Sequence, residues 1–277
     1  MRLLWQLLAV GLIFAGGGQA MLTFDDGGWL SLAIGLATVV LAIVVYRWVV
    51  GRTERRPVVE LGREGAWAGT GWGTLLGAGM FGLVVVNLAF LGYYEVDGLG
   101  DPGAVIGLLG FMAAAAVTEE VVFRGVLFRV IEQWSGTWIA LAFTSVLFGF
   151  MHLANPHASL WGAAAITLEA GAMLGAAYIA TRKLWLPIGI HFGWNFAASA
   201  VFSTEVSGNG TPQGLLDAAT SGPMPVSGGE FGPEGSLYSI GFGLLLTVVF
   251  LWIAKRRGYL VPLRRAARAE AVARLPR

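Results

Sequence analysis

Cysteine is absent from this 277-residue chain. That excludes disulfides, thiolate catalysis and cysteine-based metal sites. Charge is scarce, with 13% of residues Asp, Glu, Lys or Arg, against about 25% in an ordinary soluble domain. Histidine occurs only three times. No His-Glu-x-x-His or Gly-x-Ser-x-Gly motif occurs, and no Asp falls inside a long apolar run. Serine-triad chemistry is disfavoured and an aspartyl intramembrane mechanism is excluded. A net charge of +1 gives no reason to expect a nucleic-acid partner.

What is present is apolar. Hydrophobic residues make up 56% of the chain and mean hydropathy is +0.70. With 41 Gly and 11 Trp, this composition fits helices packed closely in lipid. The expected fold class is all-α: a polytopic membrane protein of about eight transmembrane helices enclosing an intramembrane cavity. A spanning helix needs about 20 apolar residues. Runs of suitable length cover roughly 3–23, 29–50, 67–92, 103–130, 137–154, 158–181, 185–203 and 236–254. The first has the look of a signal peptide, but its length and the want of a cleavage site favour a retained span. The seventh carries His191 and Asn195, so hydropathy supports it weakly.

Basic residues orient the chain. Arg52, Arg55, Arg56 and Arg63 follow span two; Arg182 and Lys183 follow span six. Lys255, Arg256, Arg257, Arg264, Arg265, Arg268, Arg274 and Arg277 follow span eight. Eight spans across the cell membrane with both termini cytoplasmic place all of them in the cytoplasm. The opposite loops have no Lys or Arg and hold Asp25, Asp26, Glu95, Asp97, Asp101, Glu205, Asp217, Glu230 and Glu234. The whole of 1–277 reads as one membrane domain. Residues 204–235 read as a mobile extracytoplasmic loop rich in Gly, Ser and Pro. Residues 255–277 read as a basic cytoplasmic tail, either solvated or lying on anionic lipid.

Three clusters of polar residues interrupt the apolar runs. Glu119, Glu120 and Arg124 lie within 104–130. An unpaired buried charge is costly, and an ionisable residue within a span is a functional hypothesis by default. Glu120 and Arg124 are i and i+4 and are expected to pair. Glu119, about 100° around the helix, is left as a candidate general base. His152 ends the run Phe148-Gly-Phe-Met-His152, where an ordinary interfacial role competes with a catalytic one. His191 and Asn195 share one helical face, and Asn can donate to a developing oxyanion. Together these residues are able to activate water and attack a carbonyl. Glu119, His152 and His191 also form a hydrolytic metal-type set, so a divalent metal such as zinc stays open. Glu169, in span six, is a further intramembrane carboxylate, placed either in a cavity or against Arg129 or a histidine. Straight full-length helices would put the three clusters at different depths, so some of them must be tilted, broken or shifted.

In that order, Glu-Glu-x-x-x-Arg (119–124), Phe-x-x-x-His (148–152) and His-x-x-x-Asn (191–195) resemble the CPBP family of intramembrane proteases. That family includes type II CAAX prenyl endopeptidases and bacterial abortive-infection-type proteins. The resemblance spans roughly 103–254, with a motif-bearing core at 103–203 and variable N-terminal spans at 1–66. It implies a cavity among the motif-bearing helices and Glu119 as the base acting on water, assisted by His152. His191 and Asn195 would stabilise the oxyanion, and Glu120 and Arg124 would support the site. The implied partners are membrane lipid and a peptide or protein substrate, lipidated in some members. A non-catalytic scaffold or immunity protein that keeps the fold is the alternative, and a proton-relaying transporter is disfavoured by the lack of two similar halves.

Overall fold

The computed structural model describes residues 1–24 and 27–276. Asp25, Asp26 and Arg277 lie outside the described residues. The chain is almost wholly helical. Three long helices, α1 (Arg2–Phe24), α2 (Trp29–Glu54) and α3 (Ala66–Phe90), precede a short strand, β1 (Tyr94–Leu99). Helix α4 (Ala104–Glu120) runs through a π-helical stretch, Val121–Phe128, into α5 (Arg129–Ser135). Then come α6 (Thr137–Met151) with a 3-10 turn at His152–Ala154, α7 (Leu160–Ile166), a second π stretch at Thr167–Ala172, and α8 (Met173–Thr181). Helix α9 (Trp185–Phe196) continues as a third π stretch, Ala197–Val201. Strand β2 (Leu216–Thr220), a one-turn helix α10 (Met224–Ser227), α11 (Leu237–Arg256) and α12 (Arg265–Arg274) complete the order.

Among the described residues, seven helical segments are long and apolar enough to cross a membrane. They correspond to all the runs read from the sequence except 185–203. That run is instead α9 with its π extension, a span of about 25 Å at 1.5 Å per residue. It is sheathed by neighbours: α3, α4 and α8 pack around it. Nearly every α9 side chain from Pro187 to Asn195 is buried. Glycines permit the close approach to α3. A Cβ at Gly77 would collide with the Ile190 carbonyl, and one at Gly193 with the Thr74 carbonyl. In lipid, where the hydrophobic effect does not drive helices together, such close contact is the main source of association.

Burial grades the bundle. The α7–α8 span buries 72% of its most apolar window and the α1 span 11%. The motif-bearing helices therefore form the centre, and the outer helices present Trp29, Trp67, Leu75, Phe90 and Val248 outward. This is the arrangement expected of helices solvated by lipid.

One end of the bundle is fastened by buried ion pairs. Arg129 donates to Glu54 at 2.7 Å and to the Gly125 carbonyl at 2.8 Å. Arg56 grips Glu60 with both terminal nitrogens, at 2.9 and 2.7 Å. The Tyr46 hydroxyl donates to Glu60 at 2.5 Å. Arg129 is thus committed to this network and does not reach Glu169. Nearby, Arg182 pairs with Glu132 at 2.5 Å and also donates to the Tyr259 carbonyl, which ties the end of α8 to the segment after α11. Helix α12 forms part of the basic tail and has no buried residue.

At the other end, residues 204–235, expected to be a mobile loop, contain a strand and a buried segment. Strand β2 pairs antiparallel with β1. Phe231, Pro233, Glu234 and Gly235 are buried. Gly228 and Gly232 have φ of 84° and 98°, a region that disfavours other residues. At Gly232 a side chain would also strike the Glu205 carbonyl. The Ser236 hydroxyl then accepts from Ser239 N at 3.1 Å, an N-cap that starts α11. The Gly-rich composition serves a folded plug: the glycines turn the chain so that Glu234 enters the bundle.

Candidate active site

Three interruptions of regular helix bring the motif residues to one level. Glu119 and Glu120 end α4 where its π stretch begins. His152 opens the 3-10 turn after α6. His191 and Asn195 sit at the middle and end of the short α9. The depth conflict expected of straight helices is resolved in this way, and π stretches recur at functional positions in helices generally.

The expected pair forms. Arg124 donates to Glu120 Oε1 at 2.6 Å, with both side chains almost fully buried. Its second terminal nitrogen donates to the carbonyls of Ala170 and Gly171, at 3.2 and 3.1 Å. The guanidinium lies 4.7 Å from the Phe148 ring centroid, a cation–π contact. Arg124 therefore bolts the π stretch after α4 to the π stretch between α7 and α8, through the same ring that packs against His152 at 4.9 Å. The sequence singled out Phe148 only as part of a motif; its part in the geometry is to floor the guanidinium and abut both histidines, His191 at 6.1 Å.

Glu120 Oε1 also takes a hydrogen bond from His191 Nδ1 at 3.0 Å. A carboxylate can only accept, so Nδ1 carries the proton and Nε2 is turned toward the other glutamate. His191 Nε2 lies 3.9 Å from Glu119 Oε2, beyond direct hydrogen bonding. His152 follows the same logic. Its Nδ1 donates to the Phe148 carbonyl at 2.7 Å, leaving Nε2 for chemistry. The two glutamates differ in access: the Glu119 side chain is 18% exposed and Glu120 is fully buried. Glu119 is thus the less buried carboxylate of the pair, while Glu120 is consumed in holding Arg124 and His191.

Beside these residues lies a small cavity lined by Phe148, His152, Glu169, His191, Asn195 and Glu234, with apolar walls from Ile166 to Leu174. Its volume is about 10 Å³, close to the space one water molecule requires. Glu119 is not among its walls and meets the cluster through His191. Asn195 lines the cavity, and its backbone carbonyl accepts from Ser199. Metal ligation was left open by the sequence. Among the described residues, no three His, Asp or Glu side chains converge closely enough to hold a metal ion. Glu119, His152 and His191 do not fit that role as they stand.

Glu234 is a site residue that sequence reasoning placed in an outer loop. Its Oε1 accepts from Trp194 Nε1 at 2.9 Å, and its Oε2 from Ser207 N and Oγ at 2.6 and 2.7 Å. Burial pushes the Glu234 carboxyl above the ordinary range, against the opposing hydrogen bonds from Ser207 and Trp194. Trp194 stands between His191 and Asn195 in α9, so the plug and the site helix are locked together. The only sequence signal was an acidic residue flanked by Gly and Pro just before an N-capped span.

Residues 101–197 match the family model described as type II CAAX prenyl endopeptidase Rce1-like. Over that stretch the chain is similar to the Rce1-like family. The stretch holds Glu119, Glu120, Arg124, His152, His191 and Asn195, and it bears out the resemblance carried by the three motifs. It is narrower than the 103–254 read from them: α1 to α3, the plug with Glu234, and α11 lie outside it. No curated protein and no solved structure matches the chain significantly. The match supports a protease-type fold on an all-α polytopic scaffold.

Proposed function

We propose that this protein is an intramembrane endopeptidase that hydrolyses a peptide bond near the membrane boundary with a glutamate-activated water. The carrying observation is that His152, His191 and Asn195 line one water-sized cavity, while Glu119, outside its walls, faces His191 Nε2 at 3.9 Å. Glu119, the less buried carboxylate, takes a proton from water. The resulting hydroxide adds to the scissile carbonyl carbon. Asn195 and a His191 protonated also at Nε2, on one face of a rigid buried helix, donate to the oxyanion, a contribution that can reach about a hundredfold or more per donor. His152 supports water activation and proton return through Nε2. Glu120 and Arg124 hold His191 and the two π stretches in register. No step requires a metal ion.

The Rce1-like match makes a C-terminal prenylated peptide the first substrate to try. Both termini lie in the cytoplasm on this reading, with the plug on the opposite side. The test uses purified protein in liposomes with a farnesylated CAAX-terminated peptide. Wild type is expected to cleave it and Glu119→Gln to lose cleavage while keeping its fold. Undiminished cleavage by Glu119→Gln would remove the assigned base.

A further inference from the structure

The proposed reaction employs Glu119, His152, His191 and Asn195 and leaves one cavity carboxylate without a task. Glu169 is 1% exposed. It sits in the π stretch between α7 and α8 and lines the same cavity as His152, His191 and Asn195. Its Oε2 has no hydrogen-bond partner, and no basic side chain pairs with it among the described residues. The neighbouring cavity carboxylate, Glu234, is different, since three donors occupy both its oxygens.

Glu169 is also held in place. The carbonyls of the next two residues, Ala170 and Gly171, accept from Arg124. Helix α11 lies directly on its backbone at Gly243. A buried carboxylate oxygen is costly without a donor, and here the cavity is the direction from which a donor can come. Around it the walls are apolar, with Ile166, Met173 and Leu174. Of the other polar wall groups, His152, His191 and Asn195 are assigned to water and the oxyanion, and Trp194, Ser207 and Glu234 are paired with one another. The complementary ligand group is an N–H that gains positive charge.

Amide hydrolysis produces such a group. Water adds its hydroxyl to the carbonyl carbon, and the C–N bond breaks. The proton abstracted from water passes to the departing nitrogen, giving an amine and a carboxylic acid. The acid then transfers its proton to the amine, which leaves as an ammonium. We propose that Glu169 accepts the N–H of the scissile amide and pairs with the ammonium of the newly formed N-terminus. The assignment rests on the peptidase reading above. It makes Glu169 a catalytic residue for the leaving side of the bond and predicts a preference for amides over esters, because an ester's leaving oxygen has neither an N–H nor a positive charge.

The experiment compares two farnesylated CAAX-terminated probes, alike except that one carries an ester in place of the scissile amide. Wild type, Glu169→Gln and Glu169→Ala are assayed in liposomes. Glu169→Gln keeps the volume and should cut kcat/KM for the amide by about tenfold to a hundredfold, the range of one charge-assisted hydrogen bond. Ester cleavage should stay within about twofold, so the amide-to-ester ratio falls. Equal losses on both probes would show a merely structural role, and an unchanged amide rate would show none; either overturns the proposal. Glu119→Gln run alongside separates the two levels. If wild type cleaves both probes in a Glu119-dependent way while Glu169→Gln changes nothing, only the Glu169 assignment fails. If wild type cleaves neither, the peptidase reading fails and takes this one with it.

Discussion

Replacing Arg124 by methionine tests the frame of the site. Arg124 is 2% exposed. It makes one ion pair at 2.6 Å, two hydrogen bonds to carbonyls and one ring contact. Removing one partner of a buried pair leaves an uncompensated charge and costs about 3–5 kcal/mol. The orphaned carbonyls add to that, though the terms do not sum simply. At about 2–4 °C per kcal/mol for a chain of this size, the unfolding midpoint should fall by about 6–20 °C. Tryptophan fluorescence during thermal unfolding in detergent would follow it. The double variant Glu120→Met with Arg124→Met removes both charges, and apolar replacement of a whole buried pair is often neutral or stabilising. It should recover most of the lost stability while staying inactive, because His191 has lost the carboxylate that fixes its Nδ1 proton. An Arg124→Met protein as stable as wild type would refute the reasoning, and so would an active double variant.

Other expectations follow from single features. Gly77→Leu should unfold or misassemble the protein, because no space exists between α3 and the Ile190 carbonyl; retained folding in a protease-resistance assay would contradict the packing. Burial alone raises the Glu60 carboxyl, but the Arg56 hydrogen bonds, the Arg129 and Arg56 charges and the Tyr46 hydroxyl outweigh it, so it stands below its ordinary value of 4.5. A depressed folded value stabilises above the unfolded one and is lost as pH falls through the folded one. Stability should therefore drop below about pH 4.5, and Glu60→Gln should flatten that drop while lowering stability at neutral pH. Chelators should leave peptide cleavage unchanged, since Glu119, His152 and His191 do not converge as ligands; loss with chelator and recovery with zinc would contradict this.

Much of the site was legible because helical spacing is local. Glu120–Arg124 and His191–Asn195 are i and i+4, so one turn of helix predicts their shared faces. The depth conflict among the clusters was also legible as a conflict, but not its resolution. The π stretches after Glu120, around Glu169 and after Phe196 carry no compositional signature, and neither does the burial of α9 by its neighbours. Residues 204–235 misled for a related reason. Gly, Ser and Pro report local conformational freedom, and here that freedom is used to make the turns of a packed plug. Glu234 was placed in an outer loop because its donors, Trp194 and Ser207, are 40 and 27 residues away in the chain. The fate of Arg129 was hidden in the same way, its partner Glu54 lying 75 residues distant.

The central claim is that Glu119 activates water for peptide hydrolysis. Its most direct test is mass spectrometry of membrane-protein termini from cells carrying wild type or Glu119→Gln at equal expression. The account predicts a set of new C-termini near membrane boundaries that is present with wild type and missing with Glu119→Gln. Identical termini in the two samples would contradict it and would favour a scaffold that keeps the fold without the chemistry.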